Sequence, residues 1–206
     1  LLDYWVRKMI KNLLPLTEQK LKILKYIYEE KEIHMLNISK NLKIHPYSLS
    51  KTLKSLNLFL VKNKRGKTIS LSLNKNLNDY LELLYILEDY KLETDNNILR
   101  LLIKNLKIFF PDVLSCVIFG SYARLGKGND VDLLFIIKKQ ENILESCNKL
   151  STLLNKEINP IIMKEMEFEI ALKEKEPTIS SLLEPSQRLL VIGKEYFLKK
   201  VMEVYK

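Results

Sequence analysis

Two apolar segments of strand length flank a short polar stretch in the second half of the chain, and this pattern restricts the fold more than any other feature. Residues 113–119 and 133–137 carry no charged side chain, and runs of this length predict buried strands. The polar stretch between them begins with Gly120 and Ser121, directly after the first strand. A strand, a helix start and a second strand in succession predict an α/β unit.

The start of this polar stretch carries groups that hold phosphates. Glycine and serine at a helix start expose backbone N–H groups and a hydroxyl, and glycine lets a ligand approach closely. Arg124 and Lys127 add positive charge nearby. We therefore expect Gly120, Ser121, Arg124 and Lys127 to form a nucleotide-binding site that holds phosphate groups.

Two aspartates stand at the head of the second strand. Asp130 and Asp132 are two positions apart, and side chains at that spacing project from one face of a strand. Paired carboxylates in this geometry suit Mg²⁺ ions that bridge nucleotide phosphates. Two like charges beside an apolar strand are costly without a cation to offset them. We therefore expect a metal site here, rather than a carboxylate pair that caps a loop.

The order Gly-Ser-x-Ala-Arg, then Asp-x-Asp at the head of an apolar strand, resembles the signature of the DNA polymerase β-like nucleotidyltransferases, and most of all the minimal nucleotidyltransferases. The resemblance covers about residues 111–206. It implies that Asp130 and Asp132 bind metal and are catalytic, and that the Gly-Ser turn binds the triphosphate. In this family a nucleoside monophosphate is transferred to a hydroxyl. After the motif we expect a helix, a strand and closing helices over residues 141–155, 158–163, 165–175 and 194–205.

The resemblance also implies a third carboxylate on the neighbouring strand, and here the sequence departs from it. Asn159 stands at the expected position; its amide oxygen can ligate a metal, but it cannot act as a base. Glu157 is two residues earlier and on the same face, either as a substitute or as a solvated charge at the strand edge. Loss of a positioned base typically costs about 10²–10⁴-fold in rate. Whether the chain is an enzyme stays open at this point.

Charge is distributed very unevenly along the 206 residues. The chain has a net charge of +9, yet residues 1–76 hold 16 basic and 5 acidic side chains, so the excess is entirely N-terminal. Residues 33–75 contain nine basic residues and neither Asp nor Glu. This contrast favours an N-terminal module that faces a polyanion, with a solvated basic surface as the alternative.

The N-terminal module is predicted to contain three helices and a β-hairpin. Thr17 can cap a first helix that runs to about Glu30, Asn37 can cap a second, and Pro46 starts a third. The hairpin is indicated by the apolar run 58–61, the basic segment 62–67 and the alternating pattern over residues 68–73. His34 and His45 lack neighbours at metal-ligand spacing, so we interpret both as structural.

This order of elements resembles a winged helix-turn-helix domain over about residues 17–75. The resemblance implies a DNA-binding module in which the third helix is the recognition helix. We expect its polar face and the basic tip of the hairpin to contact DNA, with a protein-binding role as the alternative. The predicted DNA-binding residues are Ser48, Ser50, Lys51, Lys54, Lys62, Lys64, Arg65 and Lys67.

Two heavily apolar helices are expected between the modules, over residues 77–90 and 98–110, with Thr94 or Asp95 as cap of the second. Each is apolar on more than one face, so each must bury surface on two sides. We expect them to support a homodimer, because two winged helices that read a two-fold DNA site require one. The alternative is a monomer in which they join the modules.

The sequence thus predicts an α+β two-domain protein. Its parts are a winged helix-turn-helix domain (1–76), connecting helices (77–110) and a nucleotidyltransferase-like α/β domain with a mixed sheet (111–206). The first functional hypothesis is a DNA-binding regulator whose second domain binds nucleotide and Mg²⁺. The second is an active nucleotidyltransferase acting on a protein, RNA or small-molecule hydroxyl; a third is an interaction protein of the antitoxin kind. Two cysteines without CxxC spacing and the lack of a membrane-length apolar run favour the cytoplasm.

Overall fold

The computed structural model describes residues 16–66, 68–139 and 142–205, and the chain divides into two compact units. The first unit extends to Tyr90 and the second starts at Lys91. The segment 77–110, expected as a separate connector, is shared between them. Its first helix lies almost wholly in the first unit, and its second helix lies in the second unit.

The first element that the structure describes in the first unit is helix α1 (Glu18–Glu30), whose N-cap is Thr17 as the sequence predicts. The Thr17 side chain accepts a hydrogen bond from the backbone N–H of Lys20 at 3.4 Å. The apolar residues at helical spacing are those that become buried, which places one face of α1 in the core. These residues are Ile23, Leu24, Ile27 and Tyr28.

Strand β1 (Ile33–His34) and helices α2 (Met35–Leu42) and α3 (Pro46–Ser55) follow. The predicted cap of α2, Asn37, is wrong, because β1 pairs with a later strand and the chain turns into α2 directly after His34. Helix α3 begins at Pro46, as expected. The His45 ring caps it by accepting a hydrogen bond from the backbone N–H of Tyr47 at 3.3 Å.

Strands β2 (Leu60–Arg65) and β3 (Thr68–Leu73) form the expected antiparallel hairpin. Their register runs from the pair Leu60 and Leu73 to the pair Arg65 and Thr68. Strand β1 adds to β3 on its other side, so the sheet has the order β1-β3-β2. The two-residue strand β1 was not predicted, since two residues carry no readable alternation.

Helix α4 (Tyr80–Leu92) starts three residues later than predicted, because the chain forms turns just before it. Glu88 is fully buried on this helix and accepts a hydrogen bond from the Tyr28 hydroxyl at 2.6 Å. Such a bond is what allows a carboxyl group to be buried in an apolar core.

Helix α5 (Asn97–Phe109) is capped by Asn96, so the predicted caps Thr94 and Asp95 are wrong. The Asn96 side chain accepts hydrogen bonds from the backbone N–H groups of Ile98 and Leu99 at 3.0 and 3.1 Å. The Thr94 hydroxyl instead accepts from the backbone N–H of Asn96 at 3.1 Å, one step outside the helix.

The second unit is built on a mixed four-stranded sheet of order β6-β5-β4-β7. Strand β4 pairs antiparallel with β5 and with β7, whereas β5 and β6 are parallel. The expected mixed sheet is therefore present. Its elements are β4 (Ser115–Phe119), α6 (Gly120–Leu125), β5 (Asp130–Ile137), α7 (Ile143–Leu154), β6 (Glu157–Lys164), α8 (Glu165–Glu174), α9 (Pro177–Leu182), β7 (Arg188–Ile192) and α10 (Lys194–Val204).

Helix α9 and strand β7 were not predicted. Strand β7 begins with an arginine, which reads as a polar boundary in the sequence. Here Arg188 is buried, donates a hydrogen bond to the carbonyl oxygen of Leu182, and lies over the Phe197 ring. The Lys91 ammonium donates to the carbonyl oxygens of Pro185 and Arg188 at 2.6 and 2.8 Å.

One hydrophobic cluster of the second unit lies between the sheet and helices α5 and α7. Both cysteines are buried, Cys116 and Cys147, and burial raises the pKa of the Cys116 thiol well above its usual range and that of Cys147 to about 11. Buried thiols of this kind are inert at neutral pH. Core residues include Leu102, Leu106, Phe110, Ile118, Val131, Leu133, Phe135 and Leu150.

No helix in the described part of the chain has both the length and the apolar character that a bilayer crossing requires.

Candidate functional site

The turn between β4 and α6 begins with a glycine whose backbone conformation favours this residue type. Gly120 has a φ of +70°, in the left-handed region, where a side chain costs about 1–2 kcal/mol. The residue before it, Phe119, pairs with Asp132 across the antiparallel ladder of β4 and β5. The strand pairing therefore brings the Gly-Ser turn and the head of β5 to the same edge of the sheet.

The carboxylate of Asp132 lies directly against Gly120. A Cβ atom at position 120 would lie 2.3 Å from Asp132 Oδ2, which is far inside van der Waals contact. The Asp132 side chain thus occupies space that only a glycine leaves open. The aspartate and the turn therefore form a single local arrangement.

Asp130 lies on the same face of β5 as Asp132. Val131, between them, points to the opposite face and is fully buried, whereas Asp130 is exposed and Asp132 is half-buried. A Cβ atom at Gly128 would lie 3.7 Å from Asp130 Oδ1, so the loop before β5 passes close to this carboxylate. The two acidic groups thus share one accessible face, with the glycine turn beside it.

Strand β6 supplies the next side chains on this face. In the parallel ladder Asp130 is in register with Glu157, and Asp132 is in register with Asn159. Register partners in neighbouring strands project to the same side of a sheet. A neutral amide therefore lies beside Asp132, and Glu157 lies beside Asp130. The part of the chain that the structure describes contains no group of three or more His, Cys, Asp or Glu side chains able to hold a metal ion.

Two residues that the sequence did not single out hold the loop between α6 and β5. Lys156 donates a hydrogen bond from its ammonium to the carbonyl oxygen of Gly128. The Asn96 amide donates to the carbonyl oxygen of Gly126. The backbone N–H of Glu157 donates to the backbone carbonyl oxygen of Asn129 at 2.9 Å. These contacts join residues 28 to 30 positions apart, so no local pattern could have indicated them.

The other predicted phosphate ligands lie in helix α6 and in the loop that follows it. Ser121 is half-buried in the first turn of α6, while Arg124 and Lys127 are exposed. Tyr122, in the same helix, is buried, and burial raises the pKa of its hydroxyl. Because Arg124 and Lys127 are exposed, both cationic side chains are accessible to a polyanionic ligand.

The donor set at this site fits one hydrated Mg²⁺ ion. Mg²⁺ is usually bound through one or two carboxylates together with water and substrate phosphates. Asp130 and Asp132 supply two carboxylates on an accessible face. Asn159 would supply only a neutral oxygen beside them.

The first unit presents a second candidate site on helix α3. Lys51 and Lys54 are exposed on it, whereas Ser48 and Ser50 are half-buried. Tyr47, which the sequence analysis did not select, is 77% exposed and lies one turn before Lys51 on the same face. An aromatic residue at the start of a predicted recognition helix was the sequence feature that could have identified Tyr47 as a candidate contact residue.

The hairpin adds further basic residues. Lys62 and Lys64 are exposed on β2 and share one face of that strand. Arg65 ends β2 and is followed by Gly66, which has a φ of +60°. Lys67 lies outside the described residues.

Comparison with known proteins adds no assignment. No family model matches the chain, and no curated protein matches it. Two solved structures of mutants of the toxin-antitoxin MntA-HpeT are 17% and 19% identical, each over 52% of this chain and 84% of theirs, with a TM-score of 0.34. A toxin-antitoxin structure with AMP-PNP is 18% identical over 54% of this chain and 87% of its own, with a TM-score of 0.35. Similarities this weak carry no argument about this chain.

The Gly120→Ala substitution tests the contact between the turn and Asp132. The new Cβ would displace the carboxylate, so we expect the affinity for Mn²⁺ with ATP, followed by electron paramagnetic resonance, to fall at least about tenfold, or about 1.4 kcal/mol. Gly66→Ala is the matched control, because Gly66 has a similar φ but no atom within 4 Å of an added Cβ. Equal affinities in the two variants would contradict the expected displacement.

Proposed function

We propose that this chain is a DNA-binding protein whose second unit is a nucleotidyltransferase-like domain that binds a nucleoside triphosphate with Mg²⁺. The observation that carries the proposal is the packing of the Asp132 carboxylate against Gly120, with Asp130 on the same face of β5. It supports the proposal because two carboxylates and the backbone N–H groups at the start of α6 lie at one edge of the sheet, and such groups bind cations and phosphates in proteins.

In this proposal each predicted residue has a distinct role. Asp130 and Asp132 hold the cation, and the backbone of Gly120 and Ser121 donates hydrogen bonds to phosphate oxygens. The exposed Arg124 and Lys127 neutralise phosphate charge. When bound, Mg²⁺ supplies positive charge that offsets the negative charge of the triphosphate.

The first unit supports the DNA-binding part of the proposal. A helix, a short strand, two further helices and a hairpin follow one another, which is the order of a winged helix-turn-helix domain. Lys51 and Lys54 on α3 and Lys62 and Lys64 on β2 are all exposed. Because residues 33–75 contain no acidic side chain, the field of this segment favours a polyanion such as DNA.

The neighbour of Asp132 favours nucleotide binding over nucleotidyl transfer. Asn159 is in register with Asp132 on β6, so the position nearest to Asp132 on that strand carries neither a negative charge nor a base. A domain of this kind can hold a nucleotide while transferring it poorly. We therefore propose that nucleotide occupancy, rather than turnover, is its main activity.

Calorimetric titration with ATP, in Mg²⁺ and in EDTA, tests the nucleotide site. We expect Mg²⁺ to strengthen binding in the unaltered chain, and Asp132→Asn and Asp130→Asn to remove that enhancement, weakening binding at least about tenfold. Asp112→Asn is the matched control, since Asp112 is exposed before β4, at the end of that strand far from Gly120. An affinity that is the same with and without Mg²⁺ would refute the metal-linked site.

DNA binding is tested by its dependence on salt. We expect Lys51→Gln and Lys54→Gln each to lower the affinity for duplex DNA and to reduce the slope of log K against log salt by about 0.9 per lost phosphate contact. Lys173→Gln, an exposed position on α8 of the other unit, should change neither quantity. Binding that is absent or insensitive to salt counts against the proposal.

An active transferase is the second candidate function, and Glu157 is the observation that favours it. Glu157 is in register with Asp130 on the neighbouring strand, and in this candidate function its carboxylate accepts the proton. In such a reaction an acceptor hydroxyl oxygen attacks the α-phosphorus, pyrophosphate leaves, and the hydroxyl proton passes to Glu157.

Transfer of label from α-labelled ATP distinguishes this candidate. In the presence of Mg²⁺ and RNA, protein or small-molecule acceptors, Glu157→Gln should slow labelling by about 10²–10⁴-fold, as expected for loss of a general base. Asp132→Asn should abolish it. If the unaltered chain is as inactive as Asp132→Asn with every acceptor, the transferase candidate is rejected and the binding function remains.

A further inference from the structure

Helix α5 carries an apolar stripe on the side that faces away from the core. Ile98, Leu101 and Ile108 are 49%, 46% and 61% exposed, and their spacing of three and seven places them along one side of the helix. The other side is buried in the core of the second unit. The core-facing residues are Leu99, Leu102, Ile103 and Leu106.

The stripe is long enough to accept a helix. Its ends, Ile98 and Ile108, are ten positions apart, which corresponds to about 15 Å along the helix axis. Scattered exposed apolar side chains are common on protein surfaces, but an aligned row of them is typical of a binding surface. The stripe is interrupted only by the partly buried Asn105, which donates a hydrogen bond back to the Leu101 carbonyl at 2.8 Å.

A basic row runs beside the stripe. Arg100, Lys104 and Lys107 are exposed and follow one another at spacings of four and three. Arg100 also donates a hydrogen bond to the Thr94 carbonyl at 2.7 Å, which holds the guanidinium near the start of the helix. The helix itself contains neither Asp nor Glu, so this edge is positive along its whole length.

The charge pattern disfavours a second copy of the chain on this surface. When two copies of a helix pair antiparallel about a two-fold axis, equivalent edges face each other, and three cations would oppose three cations. A parallel pair would set the basic row against the opposite edge of the stripe. That edge is formed by Leu102 and Phe109, which pack into the core, so it offers no acidic side chain to the basic row.

We propose that the exposed face of α5 docks an amphipathic helix of another protein that carries acidic residues beside its apolar stripe. Ile98, Leu101 and Ile108 would pack against the partner's apolar residues, as in helix recognition through anchors one turn apart. Arg100, Lys104 and Lys107 would oppose its carboxylates and select the partner by charge. This interaction requires neither the nucleotide site nor the DNA-binding face.

Two synthetic peptides test this surface. Both are amphipathic helices of about 18 residues with the same leucine stripe; one carries glutamate and the other lysine along its flank. By fluorescence anisotropy with the full chain we expect the acidic peptide to bind at least about tenfold more tightly, and its affinity to fall as salt rises. The Lys104→Glu, Lys107→Glu double variant should reverse the preference.

The apolar part is tested by Leu101→Glu, with Ile108→Glu as a second variant. Either should weaken acidic-peptide binding at least about tenfold, whereas Leu153→Glu, at a leucine that is 57% exposed on α7, should not. Circular dichroism confirms that the variants remain folded. Absent binding, equal binding of both peptides, or equal loss with Leu153→Glu would overturn the proposal. Self-association in sedimentation that is lost in Leu101→Glu would also overturn it, by assigning the surface to a second copy.

Discussion

The packing of one carboxylate against one glycine organises the candidate site of the second unit. Asp132 occupies the space beside Gly120 that a side chain would fill, and strand pairing sets the two residues next to each other through Phe119. Strand alternation then places Asp130 on the same face. The chemistry of the site thus follows from the space that a glycine without a Cβ leaves for a carboxylate, combined with the two-residue period of a strand.

The sequence predicted the start of a helix correctly where residues within the first turn determine that start. Thr17 and Pro46 mark the starts of α1 and α3 in both the sequence and the structure, because a cap and a proline act within one turn. The start of α2 was wrong, because pairing of Ile33 with Leu71 decides where the preceding strand ends. The cap of α5 was wrong by one or two residues, because three adjacent polar residues can each serve as a cap and tertiary contacts select Asn96.

Features that depend on long-range contacts were not accessible from the sequence. Strand β7 begins with the buried Arg188, which donates a hydrogen bond to the carbonyl oxygen of Leu182 and lies over the Phe197 ring. A charged residue type predicts exposure, so the sequence could not indicate that this position is buried. Lys156 resembles any surface lysine, yet its ammonium holds the loop before Asp130. By contrast, the position of Asn159 beside Asp132 could be anticipated, because strand order and alternation determine it.

Strand β6 has one neighbour within the described sheet, and its residue in register with Leu133 is Pro160. A proline offers no N–H group, so an incoming backbone finds an interrupted row of donors along this margin. Glu157 and Lys164 place charges at its two ends, which further discourages fibril-like stacking of copies. This edge of the sheet is thereby protected against backbone pairing with a strand of another chain, because both the proline and the terminal charges oppose it.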